Sequence, residues 1–375
     1  MKSLEWQLRA ALDGLCLGEK LVRIHEYARL LFTRRCRCGY VGCLGYANLG
    51  DRALYEAIQL IFRQHMAFAS HRTDLFPRLV SAARGKPAFD LVCLGGGTLM
   101  GQTSVYRLEP ALDAGLPVFS FGTGCHPMQF GLECDPEYDQ KFRRQIRILQ
   151  RLQLVSVRDE ASKRTLLEQG LKAEIDVIGD PVLMFALESR PYAGGKRIGV
   201  NVGNDYGAQM WGRWEDIEAA VRPALVSLLD DGWTVTLFPL SSDEIAGTAA
   251  LARRLGPRVK IFRHYLDRQA YISACAEQDM FLGVKLHSVI LAHCAHTPAV
   301  MLAYQPKCTQ YMESVNMQAH MLKTNQLTTQ SILDALASAR SAAAEIREQL
   351  AERCAFYAQR RSAFAKKICE TLLEN

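Results

Sequence analysis

The sequence predicts an α/β fold made of two doubly wound halves. Short apolar runs that read as strands alternate with helical patterns along most of the chain, and several of the runs end in glycine-rich turns. Midway, the stretch ESRPYAGGK (188–196) breaks the alternation with Pro, Gly and charge. Alternating elements imply a parallel sheet with helices on both faces. A break of that composition marks a domain boundary. At 375 residues the chain also exceeds one ordinary core.

Composition narrows the function classes. Apolar residues make up 49% and charged residues 22%, a globular balance that excludes a disordered or fibrous chain. The formal charge of +6 favours anionic ligands or an acidic membrane surface; because it is spread along the chain, no nucleic-acid partner is expected. No apolar run reaches the length of a membrane span. Glu5, Arg9 and Asp13 interrupt the N-terminus, so no signal-peptide core is read and the chain is expected to be cytoplasmic. Twelve Cys then read as reduced thiols. Cys36, Cys38 and Cys43 lie close together but lack a nearby fourth ligand and fall on a strand-like run, so no metal is expected.

Residues 1–35 read as a helical extension, with Leu4, Leu8, Leu12 and Leu15 and then Leu21, Ile24, Ala28 and Leu31 at helical spacing. Arg23, Arg29, Arg34 and Arg35 give it a basic face. Packing on the domain that follows is the favoured reading, and a peripheral membrane contact is the second. Cys38 to Leu44 is the first strand candidate. Its turn, GYANLGD (45–51), offers Gly45, Asn48 and Gly50, and places Asp51 where a carboxylate caps a helix. Asp90 to Leu94 is the second strand and ends in Gly95-Gly96-Gly97, whose amides can form an anion-binding nest. A helix from about Val105 leads to the strand 118–121 and the loop GTGCHP (122–127), where His126 brings an imidazole to a strand's carboxyl end. The strand Leu154 to Val157 delivers Arg158 the same way, and a guanidinium fork suits an oxyanion. VIGDP (177–181) closes the first half.

The alternation restarts with the strand 197–202. Its loop, GNDYGAQMWGRW, carries Asn204, Tyr206, Trp211 and Trp214; the aromatics either stack on a sugar ring or, for Trp214, open the next helix. Helices at 217–229, 245–255 and 267–276 alternate with strands at 234–238, 259–262 and 279–282. The chain then reaches FLGVKLHSVILAHCAHTPAVMLAYQPK (281–307). It reads as a buried strand, a turn of Lys285, Leu286, His287 and Ser288, a helix, and a second strand opening at Pro298. A cation and an imidazole at a strand's carboxyl end beside a helix N-terminus make an anion site. From about Gln330 onward, polar helices run to the end.

Taken in order, GYANLGD, LGGGT (94–98), GTGCHP, SVRDEAS (156–162), GDP (179–181) and VKLHS through YQPK (284–307) resemble the polysaccharide pyruvyltransferase family, over about residues 38 to 315. The resemblance implies two Rossmann-like domains in a GT-B-like arrangement: 1–187, a linker at 188–196, and 197–328 with the donor site, followed by helices at 329–375. It also implies transfer of the pyruvyl unit of phosphoenolpyruvate to hydroxyls of a free or lipid-linked saccharide, without a cofactor. His287 and Asp51 are then the catalytic candidates, with Arg158 and Lys285 clamping the donor across the cleft. Leu286, Ser288, Asn48, Gly96, Gly97, His126, Asn204 and Trp211 complete the expected substrate-binding set. The family has Arg where this chain has Lys285, and a glycine-proline turn where it has Gly124-Cys125-His126-Pro127. A GT-B glycosyltransferase using a nucleotide sugar, or a saccharide-binding relative without turnover, are the competing readings.

Overall fold

The structure, a computed structural model, describes residues 17–44, 47–71, 75–125, 138–188, 194–203 and 211–374. His126, Asn204 and Tyr206, most of the expected linker and the first leucine-spaced run lie outside the described residues. Every pairing between strands named below is parallel, as the alternating pattern requires.

The helix α1 (Leu17–Phe32) precedes β1 (Cys36–Val41), α2 (Leu49–Ile61) and β2 (Met66–Ser70). The segment α3 (Leu75–Arg84) leads to β3 (Leu91–Leu94), β4 (Gly97–Met100), α4 (Glu109–Asp113), β5 (Val118–Ser120) and β6 (Thr123–Cys125). Next come α5 (Tyr138–Leu149), β7 (Val155–Val157), α6 (Glu160–Glu168) and β8 (Ile175–Val177). One sheet has the order β2-β1-β3-β5 and another β4-β6-β7-β8. Glycines separate them: Gly95-Gly96 between β3 and β4, and Gly122 between β5 and β6. The bridge from Phe119 to Leu154 and hydrogen bonds between Ser120 and Ser156 tie the two sheets together.

The second half is one six-stranded sheet. Its elements are β9 (Arg197–Asn201), α7 (Trp214–Asp230), β10 (Thr234–Leu237), α8 (Ile245–Leu255), β11 (Val259–Ile261) and α9 (Arg268–Ala276). Then follow β12 (Met280–Gly283), α10 (Leu286–Cys294), β13 (Ala299–Ala303), α11 (Pro306–Ser314) and β14 (Met321–Lys323). The order is β11-β10-β9-β12-β13-β14, so the direction of winding reverses between β9 and β12. That is the Rossmann order, with its ligand crevice at the switch point.

Some local expectations change. Lys285 is the residue before α10, so Leu286, His287 and Ser288 belong to the helix's first turn, not to a separate turn. The helix expected from Val105 is a 3-10 turn, Thr103–Leu108, continued by the short α4. Asn48, not Asp51, caps α2: its side chain accepts from Gly50 N at 2.8 Å. The C-terminal helices also divide their packing. The helix α12 (Thr329–Ser341) lies on α7, whereas α13 (Ala343–Leu372) returns to the first half. There Phe364 and Ile368 join Phe62, Phe119 and Phe121 in one buried cluster.

Candidate active site

The site forms where the switch point of the second half meets the carboxyl edge of the first. The chain after β1 docks on the chain after β10: Leu49 N donates to Leu240 O at 3.0 Å, and Ser242 N to Ala47 O at 3.2 Å. Across the same seam, Arg268 of α9 grips Glu56 of α2 with both forks, at 2.8 and 3.0 Å. Gln310 Nε2 donates to Cys125 O at 3.3 Å.

Arg158 leaves the end of β7 into a fully buried position. Its Nε donates to Asp159 Oδ2 at 3.1 Å, and Asp159 caps α6 by accepting from Ser162 N at 2.7 Å. Nη1 and Nη2 have no hydrogen-bond partner among the described residues. A buried guanidinium with two unanswered donors is costly until an anion completes it. Asp180 lies nearby; its Oδ1 accepts from Val182 N at 3.0 Å, while Oδ2 faces Arg158 Nη1 at 3.9 Å. The same oxygen stands 3.9 Å from His287 Nε2. Arg158 from one half and His287 from the other therefore converge on one carboxylate oxygen.

His287 packs its ring directly on Gly50, where a Cβ would lie 2.5 Å from Nδ1. The helix α2 can bring its second residue this close only as glycine. Burial holds the imidazole down at about 3, and the positive charges of Arg158, Lys307 and Lys285 add to that. At neutral pH the ring is uncharged. Burial pushes the Asp180 carboxyl up, against the opposing pull of Arg158.

Lys285 is held from the second half's side. Its Nζ contacts Glu244 Oε1 at 2.6 Å and donates to Ser241 Oγ at 2.5 Å. Its backbone N donates to Asn201 Oδ1 at 3.0 Å, which pins the switch point. Burial works against both charges, lowering Lys285 and raising Glu244. Glu244 nevertheless also receives Asn201 Nδ2 at 2.7 Å, Leu240 N at 3.0 Å and Ser241 Oγ at 3.0 Å. Four donors on one carboxylate favour its ionised form and oppose that rise. Lys285 thus faces the Glu244 carboxyl within its own half.

A further cation, absent from the expected set, acts on Lys285 and His287 through its charge. Lys307 sits in the first turn of α11, with its Nζ 5.0 Å above the Tyr304 ring. Burial and the nearby Arg158 charge lower its pKa, while Asp51 supports it. Its signal was present in the sequence, since it follows β13 as Lys285 follows β12. Asp180 and Glu244 were also absent from the expected set: GDP was noted only as a landmark of the resemblance, and nothing in the sequence around Glu244 marked it out.

Other expected residues serve the frame. A Cβ at Gly96 would meet Leu54 Cδ2 at 2.4 Å, and Gly97 takes φ +97°, so both glycines answer to their own core and backbone. Leu286 is buried in the main core. Ser288 Oγ donates back to Lys285 O at 2.6 Å. Asn48 spends its side-chain oxygen on the α2 cap. Trp211 joins the second half through Tyr304 O, with Lys323 Nζ 5.1 Å over its ring. Asp51 keeps a place near the cations, acting on Lys285 and Lys307 through its charge. Among the described residues no cluster of three or more His, Cys, Asp or Glu is placed to hold a metal.

The whole arrangement resembles solved structures of low identity. A HepE from Anabaena, solved with UDP and glucose, matches at TM-score 0.53 and 14% identity, over 91% of this chain and 100% of that one. The UDP-GlcNAc 2-epimerase of Neisseria meningitidis matches at TM-score 0.53 and 13% identity, over 91% and 100%. These likenesses establish the fold, two Rossmann-like domains in a GT-B-like arrangement. No curated protein matches the chain by sequence. The family model for polysaccharide pyruvyl transferase matches residues 48–306, which takes in Asn48, Arg158, Asp180 and His287. With more than half of its length matched, the chain belongs to the polysaccharide pyruvyl transferase family and is a transferase.

Proposed function

We propose that the protein moves the pyruvyl unit of phosphoenolpyruvate onto a hydroxyl of a saccharide, free or lipid-linked, and releases phosphate. One observation carries the reading: Arg158 is wholly buried, and its two terminal nitrogens lack a hydrogen-bond partner among the described residues. A small donor bearing both carboxylate and phosphate fits such a fork, with the Lys307 ammonium and the amides opening α10 and α11 to share the remaining charge. In the transfer, a proton adds to the donor's methylene carbon and the sugar oxygen bonds to C2. Phosphate departs with the C–O bonding pair, and a second hydroxyl closing on C2 gives the ketal; of the two protons the hydroxyls lose, one balances that gained by the methylene carbon and the other leaves with phosphate. His287, uncharged at neutral pH, accepts the proton of the attacking hydroxyl. The cations stabilise the negative charge that builds on the leaving phosphate.

The test is direct. Phosphoenolpyruvate is expected to raise the melting temperature, because ligand binding stabilises the folded state by mass action. With a panel of sugar acceptors it is expected to release phosphate and add mass to one of them. Stabilisation by UDP but not by phosphoenolpyruvate would move the protein to nucleotide-sugar chemistry.

A further inference from the structure

We propose that the face formed by α1 and the entry to β1 docks on an anionic phospholipid bilayer. One side of α1 is committed to the protein: Tyr27 and Leu30 are buried beside Ala67, Ala69 and Phe89. The opposite side carries a second apolar stripe at helical spacing, Ile24, Ala28, Leu31 and Phe32. Ile24 is 46% exposed, Leu31 38% and Phe32 86%. A helix with one face in the core gains nothing within the fold from a phenylalanine held out in water; such stripes mark interaction sites.

The surroundings identify the partner. Arg29, Arg34, Arg35 and Arg63 are exposed around the stripe; Arg29 acts through its charge on Glu26, and no ion pair joins Arg34, Arg35 or Arg63 to a carboxylate among the described residues. The Arg35 guanidinium donates to the Arg63 carbonyl, which joins the end of α1 to the end of α2. Beside them a groove of about 430 Å³ is lined by Arg34, Arg35, Gln64, His65 and Leu373. An apolar stripe that enters the acyl boundary, rimmed by guanidinium groups at headgroup level, is the chemistry of an interfacial helix on acidic lipid.

The geometry leaves the candidate active site free. The arginines flank the starts of β1 and β2, at Cys36 and Met66, whereas Arg158, Lys285 and His287 lie past the carboxyl ends of their strands. Docking by this face turns the catalytic edge toward water, where a saccharide can reach it.

The experiment is co-sedimentation of the full-length protein with vesicles of phosphatidylcholine alone or with about a third phosphatidylglycerol. Binding is expected only to the acidic vesicles and is expected to weaken as salt rises. Each arginine near a charged surface contributes about five-fold in affinity, so R34E/R35E is expected to bind at least about 25-fold more weakly. F32S is expected to lose binding at low salt too. Both variants alter exposed side chains, and an unchanged melting temperature verifies that they fold. Equal binding to both vesicles, no binding to either, or wild-type binding by F32S and R34E/R35E would overturn the proposal. A dimer abolished by F32S, with no vesicle binding, would assign the face to a second copy of the chain.

Discussion

At the scale of single residues, the site's behaviour follows from burying charge around an uncharged ring. Arg158 is the strongest anchor because its fork is aimed and two of its donors are open. Arg158→Lys keeps the charge but loses the fork, so donor affinity is expected to fall about ten- to hundred-fold in a thermal-shift titration. An unchanged affinity would remove Arg158 from the donor site. His287 makes a prediction about pH. Burial holds its pKa down at about 3, against an ordinary value of 6.5. The unfolded chain therefore takes up a proton that the folded ring refuses as the pH falls from about 6.5 toward 3, and folding stability declines across that window. The slope from this one group reaches at most about 1.4 kcal/mol per pH unit. His287→Asn is expected to abolish turnover and to flatten the acid side of the stability curve; parallel curves for variant and wild type would contradict the assignment. The sequence displayed both residues, because each stands at a strand's carboxyl end where α/β folds bind ligands. It did not display Lys285's engagement, since Glu244 lies 41 positions away and only the fold brings its Oε1 within 2.6 Å.

At the scale of elements, the opening of α2 and the opening of α10 are built as one unit. The cap on Asn48, the close approach at Gly50 and the imidazole of His287 depend on each other. Gly50→Ala isolates that dependence. Alanine favours the helix over glycine by up to about 1 kcal/mol, yet its Cβ would fall 2.5 Å from His287 Nδ1 and push the ring aside. A displacement of this size at a reacting group costs about a hundred-fold in rate. The variant is therefore expected to keep its melting temperature within a few degrees and to lose about two orders of magnitude in kcat, read by phosphate release. Full activity would show that the ring does not need its present seat. Here sequence reading succeeded for strongly patterned elements, such as α8 at Ile245–Leu255. It failed for β2, β4, β6 and β14. Those strands span three to five residues, too few to show a period, and β4 and β6 directly follow glycines that read as loop. Their pairing partners, not their own side-chain patterns, make them strands.

At the scale of the whole molecule, the family match ends at residue 306, but the fold does not. The helix α13 starts beside the second half and ends on the first. Arg360 donates to Val177 O, Lys367 reaches Glu174 at 3.0 Å and Asp176 at 3.2 Å, and the Tyr357 ring covers Gly179. A Cβ on Gly179 would meet that ring at 2.4 Å, at a residue with φ +75°, so this glycine is required both by its backbone and by the returning helix. Gly179 directly precedes Asp180, the carboxylate on which Arg158 and His287 converge. The polar helix-forming composition after Gln330 foretold a helix there but not where it would lie: its buried residues, from Ile346 through Leu350, Cys354, Tyr357 and Phe364 to Ile368, recur at helical spacing, which shows the face that packs but not what it packs on. Phe364 is the decisive contact, 3% exposed and packed near the Phe121 ring at 6.0 Å between centroids. Phe364→Ala is expected to cost about 3–5 kcal/mol, through lost burial and the cavity left behind. If α13 also holds the GDP turn in place, Phe364→Ala should weaken phosphoenolpyruvate binding even where denaturant curves show the protein still folded. A loss of stability with donor affinity intact would confine α13 to the core and leave Asp180 positioned by the first half alone.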